Sequence, residues 1–164
     1  MERLYTKIIT NHLNCYNQMI FLSGPRQVGK TTLALASETV YLWDWAEIED
    51  IGAKTENFIA SHLLKAIHFW TDYGFGHCEL YFIRDKEKRE VDFLVTKNKK
   101  PWFLVEAKHS NNSRLSKHLE RFQKQTAAAH AFQVILDMPF VNQDCFKYHS
   151  PIIVPAKTFL SQLV

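Results

Sequence analysis

Two groups of residues in this chain have types and spacings that chemistry requires. The first is Asp92, Glu106 and Lys108, set on two short apolar runs joined by the polar stretch Lys97-Asn98-Lys99-Lys100. In an extended strand side chains alternate, so Val91, Phe93 and Val95 share one face and leave Asp92 and Leu94 on the other. In the second run Phe103, Val105 and Ala107 share a face, and Glu106 and Lys108 stand together opposite it. If the connecting loop centres on Lys99, Asp92 lies directly across from Glu106. Like charges at facing positions destabilise a sheet, and a divalent cation between them removes that penalty. Two carboxylates to hold Mg2+ or Mn2+, and a lysine to orient a water or stabilise developing charge, are the parts that phosphodiester hydrolysis uses. The plainer alternative is a charged hairpin edge, since the neighbouring run Arg84-Asp85-Lys86-Glu87-Lys88-Arg89-Glu90 reads as a solvated turn.

The second group is Gly24-Pro25-Arg26-Gln27-Val28-Gly29-Lys30-Thr31, a full match to G-x-x-x-x-G-K-[ST] between an apolar run and a helical one. Gly24 and Gly29 let the backbone curl so that its N–H groups face phosphate oxygens, aided by the positive end of the helix dipole. Lys30 would reach the β- and γ-phosphates of ATP, and the Thr31 hydroxyl would ligate Mg2+. Hydrolysis also needs an acidic residue ending a second apolar strand, and no later apolar run ends in Asp-Asp or Asp-Glu. ATP hydrolysis is therefore not expected. The segment is also too short to fold alone, so the alternative is a relic loop whose strand and helix pack onto the rest of the chain.

The elements that must position these residues follow from periodicity. Leu4 to Leu13 reads as a helix, Met19 to Leu22 as a buried strand, Thr31 to Ser37 as a helix and Val40 to Trp43 as a strand. Asp44 is a candidate cap for a long helix from about Glu47 to Phe69, with an apolar stripe of Phe58, Ile59, Leu63, Ala66, Ile67 and Trp70. Glu56 falls on that stripe. A carboxylate on an inward face is costly unless it is paired or binds a cation; otherwise it sits at the edge and reaches solvent. Gly74 and Gly76 break the pattern, and strands follow over Leu80–Arg84, Val91–Thr96 and Trp102–Lys108. A second helix spans Ser113 to Thr126, then come strands Phe132–Leu136 and Ile152–Val154, with Pro155 opening a last short helix. The order is that of a mixed α/β layer.

Composition excludes several classes. With 46% hydrophobic residues and 12 Phe in 164 residues, the chain is too apolar to be disordered. A net charge of +3 is compatible with nucleic acid without demanding it. Cys15, Cys78 and Cys145 are far apart with no C-x-x-C pair, which fits a reduced cytosolic protein and no zinc site. No apolar run reaches the roughly 20 residues of a membrane span, and Met1 to Thr10 does not read as a signal peptide. A soluble, cytoplasmic protein without a membrane partner is expected. The eight His show no metal-ligand spacing, although His109 directly follows Lys108. Lys97, Lys99, Lys100, Arg114, Lys117, Arg121 and Lys124 form a basic scatter that either tracks a phosphate backbone around the cleft or is simply solvated. Trp43, Trp45, Phe69 and Trp70 read as core rather than as base-stacking platforms.

Asp92, Glu106-Ala107-Lys108 and Glu56 on the preceding helix resemble the PD-(D/E)XK (restriction-endonuclease-like) nuclease superfamily, with its αβββαβ core. Gly24 to Thr31 followed by Trp43-Asp44-Trp45, Glu56-Asn57-Phe58 and Arg89-Glu90-Val91-Asp92-Phe93 is similar to a family of prokaryotic AAA-type P-loop ATPases with a nuclease-like C-terminal domain. The likeness comes in two blocks: 1–38 as a truncated ATPase start and 39–164 as the C-terminal domain. Members hold a full ATPase core between them, so the chain looks like an internally deleted relative. The resemblance implies a Mg2+- or Mn2+-dependent nucleic-acid phosphodiesterase, with Asp92, Glu106, Lys108 and Glu56 catalytic and Asp92 and Glu106 as metal ligands. It leaves Gln123 or Gln125 as an additional polar site residue. The alternative it implies is a non-catalytic remnant that binds ATP or nucleic acid, and a homodimer is left open as an assembly.

Overall fold

The computed structural model describes residues 11, 12, 15, 20–22, 40–42, 48–110 and 114–163. Two short strands come first, β1 (Ile20–Leu22) and β2 (Val40–Leu42), paired in parallel with Ile20 beside Val40 and Leu22 beside Leu42. The boundary expected at 38/39 falls between these two paired strands. The helices expected at 4–13 and 31–37 and the phosphate loop lie outside the described residues, apart from residues 11 and 12, which are helical.

Helix α1 runs from Ile51 to Asp72, four residues later at its start than periodicity alone suggests. Its cap is Asp50, whose carboxylate accepts from the Ala53 N–H at 2.7 Å; Asp44 lies outside the described residues. The helix ends in a Schellman motif. Gly74 takes φ 77°, its N–H donates to Thr71 at 3.1 Å, and the Phe75 N–H donates to Trp70 at 2.9 Å. The expected stripe is buried at Ile59, Leu63, Ala66, Ile67 and Trp70, with Phe58 partly buried.

Strands β3 (Cys78–Arg84), β4 (Glu90–Lys97) and β5 (Lys100–Lys108) form an antiparallel meander. Helix α2 (Lys117–Thr126) then crosses over to β6 (His130–Ile135), parallel to β5, and β7 (Ile152–Pro155) adds a second parallel partner. Parallel neighbours need such a crossover. Helix α3 (Ala156–Leu160) opens after Pro155, as its fixed φ favours. The five strands lie in sequence order. The protein is thus a mixed α/β layer with a five-stranded mixed sheet and three described helices.

The two faces of the sheet carry separate cores. Phe93, Val95, Phe103, Val105, Ala107, Phe132 and Val134 pack with α1, and Tyr41 of β2 joins them. Leu104, Ala131 and Val91 pack with Leu119 and Phe122 of α2. The second helix begins at Lys117 rather than Ser113, so Leu115 precedes it and lies partly buried on this second cluster.

Candidate functional site

The β4–β5 hairpin turns through Asn98 and Lys99, at φ 52° and 64°. Two successive residues with positive φ make a two-residue loop whose twist matches its strands. Such a loop is centred between Asn98 and Lys99, half a residue before the expected centre, and pairs Lys97 with Lys100. Continued unchanged, that register would not place Asp92 opposite Glu106. A bulge corrects it. Thr96 pairs with Pro101 but Val95 pairs with Phe103, so Trp102 is the extra residue, and the ladder resumes with Phe93 facing Val105. Asp92 and Glu106 are the next residues along.

The ladder between β4 and β5 ends there. In place of a further backbone pair, the Ala107 N–H donates to Asp92 Oδ2 at 2.7 Å. The alternation expected on β4 also breaks: Val91 joins the α2 cluster while Phe93 and Val95 pack with α1. The register irregularity between β3 and β4, where Tyr81 faces Leu94 but Ile83 faces Val91, accounts for this. Val91, Phe93 and Val95 therefore do not share one face.

Glu106 is only 8% exposed. Its Oε1 lies 3.0 Å from Lys108 Nζ, while its Oε2 is buried without a hydrogen-bond partner. Beside it on β6 stands Gln133, its register partner and fully buried, whose Oε1 accepts from the Ser116 N–H at 2.8 Å at the start of α2. Sequence reasoning missed Gln133. The signal was present: one amide inside the otherwise apolar run Ala131-Phe132-Gln133-Val134-Ile135.

The charges act on one another across α1, β4 and β5. Burial pushes Asp92 up to about 7; Glu56 adds to the rise, and the Ala107 N–H and Lys108 pull against it. Glu56, half-buried on α1, is raised by burial, partly offset by Lys108 and reinforced by Glu90, Asp50 and Glu106. Burial works against the charge on Lys108, yet Glu106, then Asp92 and Glu56, outweigh it and hold the ammonium above its ordinary range. Tyr41 was not expected here. Burial and the fields of Glu56, Asp92 and Glu90 raise its phenol well above the ordinary range, and its ring packs 5.9 Å from that of Phe93. All four expected centre residues thus come within electrostatic reach of each other.

The remaining candidates fall elsewhere. The Gln123 amide donates to the carbonyls of Ala128 and His149 at 3.2 and 2.9 Å, and Gln125 is exposed, so neither is engaged with the carboxylates. His109 Nδ1 lies 3.4 Å from Thr55 Oγ1, at the first turns of α1. Lys97, Lys99 and Lys100 sit at the hairpin tip, about 16 Å from Asp92 by strand rise, not around the carboxylates. Lys124 pairs with Glu120 at 2.7 Å. Phe69 and Trp70 pack in or against the core as expected, whereas Trp43, Trp45, Gly24, Gly29, Lys30 and Thr31 lie outside the described residues. Among the described residues no three His, Cys, Asp or Glu side chains converge closely enough to hold a metal ion. None of the described helices is long and apolar enough to cross a membrane.

No curated protein and no solved structure matches the chain. One family model does, over residues 51–148, from the first residue of α1 to just past the short 3-10 turn Cys145–Lys147. Its description is "Domain of unknown function (DUF4143)", a domain typically found in AAA-ATPase-associated proteins. The match takes in Glu56, Asp92, Glu106 and Lys108 and covers more than half of the residues, so the chain belongs to the DUF4143 family.

Proposed function

We propose that the chain is a Mg2+- or Mn2+-dependent nucleic-acid phosphodiesterase of the PD-(D/E)XK type, built on the αβββαβ order from α1 to β6. The observation that carries this reading is Glu106 Oε2, a carboxylate oxygen buried with no hydrogen-bond partner. Such an atom is costly to bury, and a cation is a partner that its charge suits. The donor set fits a hard metal: carboxylates from Asp92 and Glu106, with no thiolate or imidazole among them. Two protein carboxylates suffice for Mg2+, which usually keeps several waters and takes further oxygens from the phosphate it serves. A cation there would acidify a bound water and polarise the phosphoryl oxygens.

The chain's own residues then have definite tasks. Asp92 is fixed by the Ala107 N–H through Oδ2, which leaves Oδ1 as the oxygen to bind the cation. Lys108, held at Glu106 and half-exposed, orients the attacking water or stabilises the developing charge. Glu56, in reach of Lys108, tunes that ammonium. The test is cleavage of branched and single-stranded DNA with Mn2+, comparing the wild type with Glu106→Ala and Lys108→Ala. Metal-dependent cleavage lost in both variants supports the reading. A wild type without metal-dependent cleavage, or variants that retain it, ends it.

A second reading concerns the phosphate loop. Strand β1 ends two residues before Gly24 and pairs in parallel with β2, the strand context that such a loop requires. On this reading Gly24, Gly29, Lys30 and Thr31 bind ATP without hydrolysing it. A thermal shift with Mg-ATP that disappears in Lys30→Ala supports this; no shift at millimolar ATP rules it out.

A further inference from the structure

The end of the hairpin remote from the carboxylates carries a second cluster. Tyr73 is 73% exposed and Phe75 58% exposed, both in the turn that ends α1. Exposed aromatics of this size are unusual side by side, and these are held rather than loose. The Phe69 ring lies 4.4 Å from Tyr73 and 6.3 Å from Phe75. The turn is also fastened to the hairpin tip: the His77 N–H donates to Asn98 Oδ1 at 2.9 Å and the Asn98 N–H donates to the His77 carbonyl at 2.7 Å. A Cβ on Gly76 would come within 3.1 Å of Asn98 and Lys97, so the two segments touch. Behind them opens a cavity of about 230 Å³ whose walls include Trp70, Phe75, Trp102 and the Lys97 stem. Trp70 and Trp102 meet at 4.9 Å, and Lys97 Nζ stands 5.1 Å over the Trp102 ring. Lys99 and Lys100 are exposed at the adjacent turn.

We propose that this tip binds single-stranded nucleic acid, with bases stacked on Tyr73 and Phe75, one flat ring admitted to the cavity beside Trp102, and Lys97, Lys99 and Lys100 on the phosphates. Sequence-tolerant strand binding combines these two elements, aromatic faces and a cationic track. The lysines decide against an apolar protein partner. A hydrophobic partner seated on the aromatics would strip water from the Lys97 ammonium, and protein interface cores are depleted in lysine. A phosphate pairs with that ammonium instead. Two acids share the region, Asp72 at the end of α1 and Glu79, which lies 3.6 Å from His77; three lysines outnumber them.

The inference does not rest on cleavage, so its test omits metal. Full-length protein is titrated into a fluorescein-labelled oligo-dT at low salt and followed by anisotropy. Binding is expected to quench the tryptophan fluorescence, less so in Trp102→Phe, and to weaken roughly ten-fold or more in Tyr73→Ser/Phe75→Ser, since each stacked base contributes strongly. Each of Lys99→Gln and Lys100→Gln should lower the slope of log affinity against log salt by about 0.7. Both changes lie on the surface, and circular dichroism checks that the variants fold. No binding by the wild type, or unchanged affinity in the double aromatic variant, overturns the proposal. So does self-association that the aromatic variant abolishes in a protein that ignores the oligonucleotide, which would mark the tip as a protein-docking surface. Binding without metal-dependent cleavage would leave this proposal standing and remove the catalytic one.

Discussion

The two ends of the β4–β5 hairpin solve opposite problems with the same two strands. At the tip the backbone is fully committed: a two-residue loop, a bulge at Trp102 and reciprocal hydrogen bonds to the 74–77 turn leave little to rearrange. Charge there is exposed and solvated. At the other end the ladder stops short, an Asp92 carboxylate accepts the Ala107 N–H, and the fields of three carboxylates act on one lysine in a partly buried space. A fold gains nothing from placing like charges in one another's field where they are partly buried, since that costs free energy. The tip's backbone is thus accounted for by its own hydrogen bonds, whereas the acidic end keeps a buried carboxylate oxygen of Glu106 for which the described residues supply no hydrogen-bond partner.

The largest effect follows from that contrast. A cation that binds the native state stabilises it by about 2.7 kcal/mol at a hundred times its dissociation constant. The wild type should therefore melt higher in millimolar Mn2+, and Glu106→Gln should lose the increment while melting at or above the wild type without metal. A Glu106→Gln variant with the full Mn2+ shift would place the ion elsewhere. Lys99→Gln, at the tip, should keep the shift, and this pair of variants separates the two ends.

The next effect is a pH dependence of opposite sign to the usual carboxylate case. Asp92 titrates at about 7 in the fold against 3.8 in a free chain, so between those values the folded state holds the extra proton. The stability contributed by the Asp92 proton, without metal, is then fully present below about pH 4 and is lost as pH rises through about 7. Glu56 is raised as well and acts in the same direction. Asp92→Asn should raise the melting temperature by several degrees at pH 8 and by much less at pH 5, followed by thermal denaturation at both values. An equal gain at both pH values would show that Asp92 is ionised throughout. Mn2+ competes with the same proton, so its stabilising effect should grow from pH 5.5 to pH 8.

Periodicity carries α1, the meander, α2 and β6 because each buries a face whose repeat differs from its neighbours', and those elements stand where the spacing of Ile59, Leu63 and Phe93 puts them. What periodicity cannot carry is a local change of count. The bulge at Trp102 and the irregularity at Ile83 each insert or drop a residue without altering composition. The register that runs towards Asp92 and Glu106 consequently reflects a turn centre half a residue off, cancelled by a bulge that no pattern shows, and the paired ladder ends one residue short of them. The same blindness put Val91 on the wrong face. Sequence proximity does not separate the tip lysines from the carboxylates, because it says nothing about which end of a strand a residue occupies. Gln133 and Tyr41 escaped for a different reason: each is brought to the centre by a register or a packing contact from another element.

The smallest effect tests the rigid end. Lys99 holds φ 64°, a left-handed conformation that costs a residue with a Cβ roughly 1 kcal/mol and that glycine adopts freely. Asn followed by Gly is the pair this two-residue loop prefers. Lys99→Gly removes the strain but gives the unfolded chain more freedom, so the net gain should be a few tenths of a kcal/mol, at most about 1. Urea denaturation resolves that, because the midpoint rises while the slope stays fixed. A loss of stability would mean that Lys99 makes a contact its exposure does not suggest. The same variant removes one cation from the tip, so oligonucleotide binding should weaken while the fold tightens. Only a residue held for its charge rather than for the turn would move those two measurements in opposite directions.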